Sequence, residues 1–113
     1  DLRVAEYSAV GVVQAGADVP ARFALEQNYP NPFNPSTTIL YDLPEGMHEV
    51  SVRIYDLLGR PVRALVETRQ SAGHYSVQWD GRDDAGRLAA SGVYLFRIAT
   101  PLFNAVKRMV YIK

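Results

Sequence analysis

Apolar and polar residues alternate with a period of two over most of the chain, and helical periodicity is scarce. Over residues 48–55, Val50, Val52 and Ile54 share one face, with Glu49, Ser51, Arg53 and Tyr55 on the other. Tyr75, Val77 and Trp79 alternate with His74, Ser76, Gln78 and Asp80. Residues 37–43 put Ile39, Tyr41 and Leu43 on one side. These runs predict half-buried strands, with Ile39, Val52, Ile54, Val77 and Trp79 as candidate core. Residues 61–67 alternate less cleanly. Residues 93–100 and 105–112 are rich in β-formers but apolar on both faces, so the pattern leaves their inward side open.

Turn chemistry separates the runs. Pro44-Glu45-Gly46 follows the first, Asp56-Leu57-Leu58-Gly59-Arg60-Pro61 suits a hairpin connection, and Ser71-Ala72-Gly73 precedes the aromatic strand. Gly81, Gly86 and Gly92 punctuate a longer loop. With a short strand at 23–25 the count is about seven, and strands at intervals of roughly 8–12 residues predict a sandwich or barrel. Residues 1–20 differ in character. A β-prone run at 4–13 is interrupted by Gly11, Gly16 and Pro20, and Ala15-Gly16-Ala17-Asp18 reads as a linker. The expectation is the end of an upstream domain and a tether over 1–20, then a domain over 21–113; an added edge strand is the alternative. The opening Asp1-Leu2-Arg3 carries neither an initiator methionine nor a signal peptide, as in a fragment or processed product.

Composition narrows the function. The 113 residues are 48% apolar and 21% charged, which fits one globular domain. Twelve cations balance twelve carboxylates, so no net positive field exists to engage nucleic acid. No apolar run reaches the roughly 18–20 residues of a transmembrane helix. The absence of cysteine excludes disulfides, thiolate zinc sites and cysteine nucleophiles, and is compatible with export.

Three segments invite chemical readings. Tyr29-Pro30-Asn31-Pro32-Phe33-Asn34-Pro35 lacks three amide donors and reads as a stiff, extended lead-in pinned by Tyr29 and Phe33; a proline-rich ligand is the sharper alternative. Asp80, Asp83 and Asp84 suggest calcium, but the EF-hand spacing and distal glutamate are missing, and Arg82 and Arg87 intervene. Tight turns explain the same residues. His48 and His74 fall on the polar side of strands, and no serine sits in a nucleophile elbow, so the chain is expected to be no enzyme and to need no cofactor or metal. Aromatic residues raise sugar binding as an alternative, although Tyr75 and Trp79 share the face of Val77.

Residues 23–39, Phe-Ala-Leu-Glu-Gln-Asn-Tyr-Pro-Asn-Pro-Phe-Asn-Pro-Ser-Thr-Thr-Ile, closely resemble the opening of type A C-terminal sorting domains of type IX secretion cargo. Residues 52–62 resemble that family's middle motif, and Trp79-Asp80-Gly81-Arg82-Asp83 and Ser91-Gly92-Val93-Tyr94-Leu95-Phe96-Arg97 its later ones. The two later motifs also occur in the immunoglobulin-like domain of flagellar hook-capping proteins. The ending Lys107-Arg108-Met109-Val110-Tyr111-Ile112-Lys113 matches a basic, apolar, then lysine pattern. The resemblance implies an all-β, immunoglobulin-like antiparallel β-sandwich. It implies a sorting signal that carries an upstream cargo domain through the periplasm and across the outer membrane of a Gram-negative bacterium. Translocon, shuttle proteins and a sortase-like signal peptidase are the implied partners, the product is secreted or held at the cell surface, and residues 15–21 suit the cut. It places recognition on Lys107, Arg108, Met109, Val110, Tyr111, Ile112 and Lys113. It makes Tyr29, Pro30, Pro32, Phe33, Pro35, Gly59, Trp79, Asp80, Gly81, Gly92 and Tyr94 determinants of the fold. One departure stands out: where the family often has a glycine turn before the last strand, this chain has Thr100-Pro101-Leu102-Phe103-Asn104-Ala105.

Overall fold

The computed structural model describes residues 13–15 and 19–113. Six strands are described: β1 (Val13–Ala15), β2 (Ala24–Leu25), β3 (Thr37–Asp56), β4 (Pro61–Trp79), β5 (Gly92–Ala99) and β6 (Asn104–Tyr111). All pair antiparallel in the order β1-β4-β3-β5-β6, with β2 on β3. Val13–Ala15 lies beside Ser76–His74 as an edge pairing. The rest of the run at 4–13 and residues 16–18, which belong both to the linker and to the proposed cleavage region, lie outside the described residues.

The seven expected strand segments are all present, but four of them are merged into two. Pro44-Glu45-Gly46 and Ser71-Ala72-Gly73 are not turns. β3 and β4 run through them as strands of 20 and 19 residues. Leu43 faces Gly73 and Met47 faces Ser71, so three residues of β3 oppose Ala72 alone. This is a bulge with two extra residues, and bulges bend strands and increase their twist. Gly46 takes φ +116° there, and the Pro44 carbonyl lies 2.8 Å from His48 Nε2. Two further register shifts leave Leu65 and Val62 unpaired, which is why 61–67 alternates poorly.

The bent hairpin β3–β4 thus contributes to both layers. Its inner residues Ile39, Tyr41, Leu43, Val52, Ile54, Val77 and Trp79 are buried with Tyr94, Phe96 and Ile98 of β5 and Met109 and Tyr111 of β6. The structure so assigns the inward faces of β5 and β6. Trp79 closes the sandwich at one end, its ring 5.3 Å from Tyr94 and 6.1 Å from Tyr111. Each buried aromatic of this size contributes roughly 1.5–3 kcal/mol of apolar burial. At the other end His48 is buried rather than on a polar face, because it is in phase with Val50 and Val52 along an unshifted register, and its ring lies 5.0 Å from that of Phe23. The turn at 100–103 closes without glycine: the Thr100 amide donates to the Phe103 carbonyl at 2.8 Å, and the Thr100 hydroxyl accepts from the Leu102 amide at 3.1 Å.

Candidate functional site

The candidate site is β6 and what covers it. Register with β5 is unbroken from Gly92/Tyr111 to Ala99/Asn104. In an antiparallel ladder alternate residues bond the partner and the rest point away. Here Val110 points away: its amide donates to Asn31 Oδ1 at 2.9 Å and its carbonyl accepts from the Phe33 amide at 3.0 Å. The Ile112 amide donates to the Phe33 carbonyl at 3.1 Å. One register step back, the Arg108 carbonyl accepts from Gln27 Nε2 at 2.6 Å. The proline segment therefore seals the far end of the β6 edge.

That segment is bent, not extended. Its three X-Pro bonds are cis, and bridges form at Tyr29–Thr38 and Phe33–Tyr111. Asn28 is the buried latch, with Nδ2 donating to Thr37 Oγ1 at 3.0 Å and to the Pro30 carbonyl at 3.1 Å. Phe33 is buried, stacked at 4.9 Å on Tyr111 and 5.6 Å from Trp79. Tyr29 does not pin the segment through its ring, which is 65% exposed; its backbone does so, through two bonds with Thr38. Pro30, Pro32 and Pro35 are exposed.

Of the seven residues at the basic end, Met109 and Tyr111 face the core. Lys107 and Val110 are half-buried, and Arg108, Ile112 and Lys113 are exposed. Of the residues expected to determine the fold, Phe33, Trp79 and Gly81 lie against Tyr111. Gly81 packs against its ring, Trp79 donates its indole N–H to the Arg82 carbonyl at 2.9 Å, and Asp80 Oδ1 accepts from the Arg82 amide at 3.1 Å. Tyr94 donates its hydroxyl to the Ala90 carbonyl at 2.6 Å, while Gly92 opens β5. Burial pushes the Tyr94 phenol up, helped by the nearby Asp56 charge. Tyr41, deeper in the core, is pushed much further up by burial, although its hydroxyl donates to Gln70 Oε1 at 2.8 Å.

Gly59 belongs to a device used twice. In Asp56-Leu57-Leu58-Gly59-Arg60, Asp56 Oδ1 accepts from the Leu58 and Arg60 amides at 2.9 and 3.0 Å, and Oδ2 from Arg60 Nε at 2.7 Å. In Asp83-Asp84-Ala85-Gly86-Arg87, Asp83 repeats the pattern with Ala85, Arg87 and Arg87 Nε at 3.0, 2.9 and 3.2 Å. The Arg60 and Arg87 amides, foremost, hold the two carboxyls below their ordinary range. Asp80 and Asp84 are engaged by Arg63 and by the Ala64 amide. These carboxylates serve turns, and among the described residues no group of three or more His, Cys, Asp or Glu is placed for a metal. Tyr75 and Trp79 are buried, so a sugar could stack only on rings such as Tyr29. Among the described residues no helix is long and apolar enough to cross a membrane.

The sequence model of the FlgD Ig-like domain family matches residues 33–101, more than half of the chain. The chain belongs to that family. Among solved structures, FlgD from P. aeruginosa superposes with a TM-score of 0.54 at 25% identity, over 91% of this chain and 72% of that one. Dimeric latent PorU from Porphyromonas gingivalis gives a TM-score of 0.64 at 24% identity, over 87% of this chain but 10% of its own. PorZ from the same organism, described as an essential bacterial surface component of the type-IX secretion system, gives 0.54 at 24%, over 88% and 13%. This chain thus spans about a tenth of the length of those two proteins. No curated protein matches. The FlgD-like domain has the immunoglobulin-like fold expected of it.

One signal in the sequence was missed because the charges sum to zero. All twelve carboxylate side chains lie in residues 1–84. The remaining residues carry five cations, Arg87, Arg97, Lys107, Arg108 and Lys113, and no acid. Strands β5 and β6 are therefore a cationic wing on a neutral chain.

Proposed function

We propose that this domain is a non-catalytic C-terminal sorting signal that directs an upstream cargo across the outer membrane by type IX secretion. A sortase-like peptidase then removes it. The cargo passes through the periplasm and ends secreted or at the cell surface. The observation that carries the reading is the shared fold with part of PorZ, a surface component of that system, over 88% of this chain. The motif order from Phe23 to Lys113 agrees with it. A rigid sandwich suits an address, because the strand to be read is ordered before any partner arrives.

The test is export of a periplasmic reporter fused to residues 21–113, in a host with a working type IX translocon and an isogenic host without it. Reporter outside only the competent host is expected. Reporter trapped in both, with the domain folded, sinks the reading. Trp79→Ala is expected to abolish export by unfolding, since truncating a fully buried Trp costs roughly 3–5 kcal/mol. A second reading, a structural module, is favoured by the FlgD family match. It predicts no effect of the domain on export and no glycan binding.

A further inference from the structure

Asn31, Phe33 and Gln27 cover the β6 edge only as far back as the Arg108 carbonyl. By the same alternation, the amide and carbonyl of Val106 and the amide of Arg108 also point away from β5. No described residue bonds them. Val106 is an exposed apolar side chain on this edge. Proteins usually blunt such an edge by covering it, as this chain does over its last turn of strand. The uncovered stretch is short, straight and flanked by cations. Arg108 lies outward, Lys107 on the opposite face, and Arg97 sits directly across from Val106. Arg97 has only the neutral Asn104 Oδ1 at 2.7 Å as its partner in the described hydrogen bonds. Nothing in β5 or β6 carries a compensating carboxylate.

We propose that the Val106–Arg108 edge of β6 takes an extended acidic peptide segment of another protein by strand addition. Main-chain bonds to Val106 and Arg108 supply the register, and carboxylates opposite Arg108 and Lys107 supply the preference for acid. The next residue beyond the one facing Lys107 is apolar and meets Val106. The site accommodates a segment of about five residues, because the proline segment stops further growth of the ladder. The proposal deepens the sorting reading and takes its biological setting from it. It also moves recognition upstream, away from residues 109–112 whose outward edge is already occupied.

The test uses the full chain and three capped synthetic peptides: Glu-Glu-Val-Glu-Glu, Lys-Lys-Val-Lys-Lys, and the acidic peptide N-methylated at alternate amides. Amide shifts and hydrogen exchange are followed by NMR. The expected result is saturable binding of the acidic peptide, with the Val106 and Arg108 amides slowed at least about tenfold in exchange at saturation, the factor a 1.4 kcal/mol bias gives. The basic and N-methylated peptides should bind at least about tenfold more weakly. Val106→Pro removes an amide that serves no β5 bond, and proline is tolerated on such an edge. Folded Val106→Pro should lose the acidic peptide to the same extent. The proposal is overturned by no binding at millimolar acidic peptide, by equal binding of the basic peptide, or by binding that survives N-methylation. It is equally overturned if those amides become protected by raising protein concentration alone, which would make the occupant a second copy. The export assay separates the two readings. Normal export of folded Val106→Pro removes this edge as the address but leaves the sorting function standing. Failure of the wild-type domain to direct export, with peptide binding intact, removes the sorting function and leaves the edge.

Discussion

Replacing Gly81 by alanine tests how the loop after β4 and the end of β6 are fitted together. Gly81 has φ +76°, and a Cβ there would stand 2.9 Å from Tyr111 Cζ, 3.0 Å from its hydroxyl and 3.3 Å from the Pro35 carbonyl oxygen. Gly59 is the natural control. It has φ +82°, and its Cβ would meet nothing within 4 Å. Both substitutions incur the cost of an L-residue in left-handed backbone, roughly 1–2 kcal/mol. Gly81→Ala adds the displacement of a buried ring stacked on Phe33, an overpacking term of roughly 1–3 kcal/mol. Gly59→Ala is therefore expected to cost about 1–2 kcal/mol and Gly81→Ala about 2–5 kcal/mol. For a domain near this size each kcal/mol lowers Tm by roughly 4–8 °C. Urea and thermal unfolding of both variants at one pH measure the difference. Equal losses would refute the packing argument, because backbone conformation alone would then explain both. A harmless Gly81→Ala would refute the described geometry itself.

Two other perturbations follow from the same structure. The Asp83 carboxyl is held below its ordinary range by the turn amides, so its contribution is complete above the unfolded carboxyl value near 3.9 and vanishes as pH falls through the lower folded value. Asp83→Asn should therefore flatten the fall of Tm between about pH 4 and 2, and an unchanged slope would contradict it. Tyr41 is held protonated by burial, so stability from it is present below about pH 10 and declines above, where the unfolded phenol ionises. Tyr41→Phe should lessen that alkaline loss in denaturant titrations, and an identical alkaline profile would count against the buried phenol as its source.

The legibility of the chain tracked whether a feature was local. The face carrying Val50, Val52 and Ile54 was readable because one side of that strand is polar. β5 was not, since Val93 and Leu95 on its outer face are as apolar as Tyr94, Phe96 and Ile98 within. Pro44-Glu45-Gly46 has the composition of a turn, and only the pairing of flanking Leu43 and Met47 with Gly73 and Ser71 makes it a bulge. The Asp-x-x-Gly-Arg turns were visible as turns, but their identity as two copies was overlooked. At the candidate site, the cationic ending was evident while its cover was not. Asn31 and Val110 meet only through the tertiary fold. No local pattern announces that Met109 and Tyr111 belong to the core.

The merging of four strand segments into the long hairpin β3–β4 also has a kinetic consequence. One turn, Asp56–Arg60, sets a register that runs from Tyr55/Pro61 to Thr37/Trp79, through both layers. Most of the sandwich can then zip from a single nucleus, with little loop-closure entropy at each step. The Phe33–Tyr111 bridge instead joins segments far apart in sequence and closes late. Turn substitutions should slow folding, and substitutions at that bridge should chiefly speed unfolding, a division that chevron plots would display. The covered end of β6 is then the part of the edge that opens first from the native state, and the strand order of assembly becomes the order of exposure read in reverse.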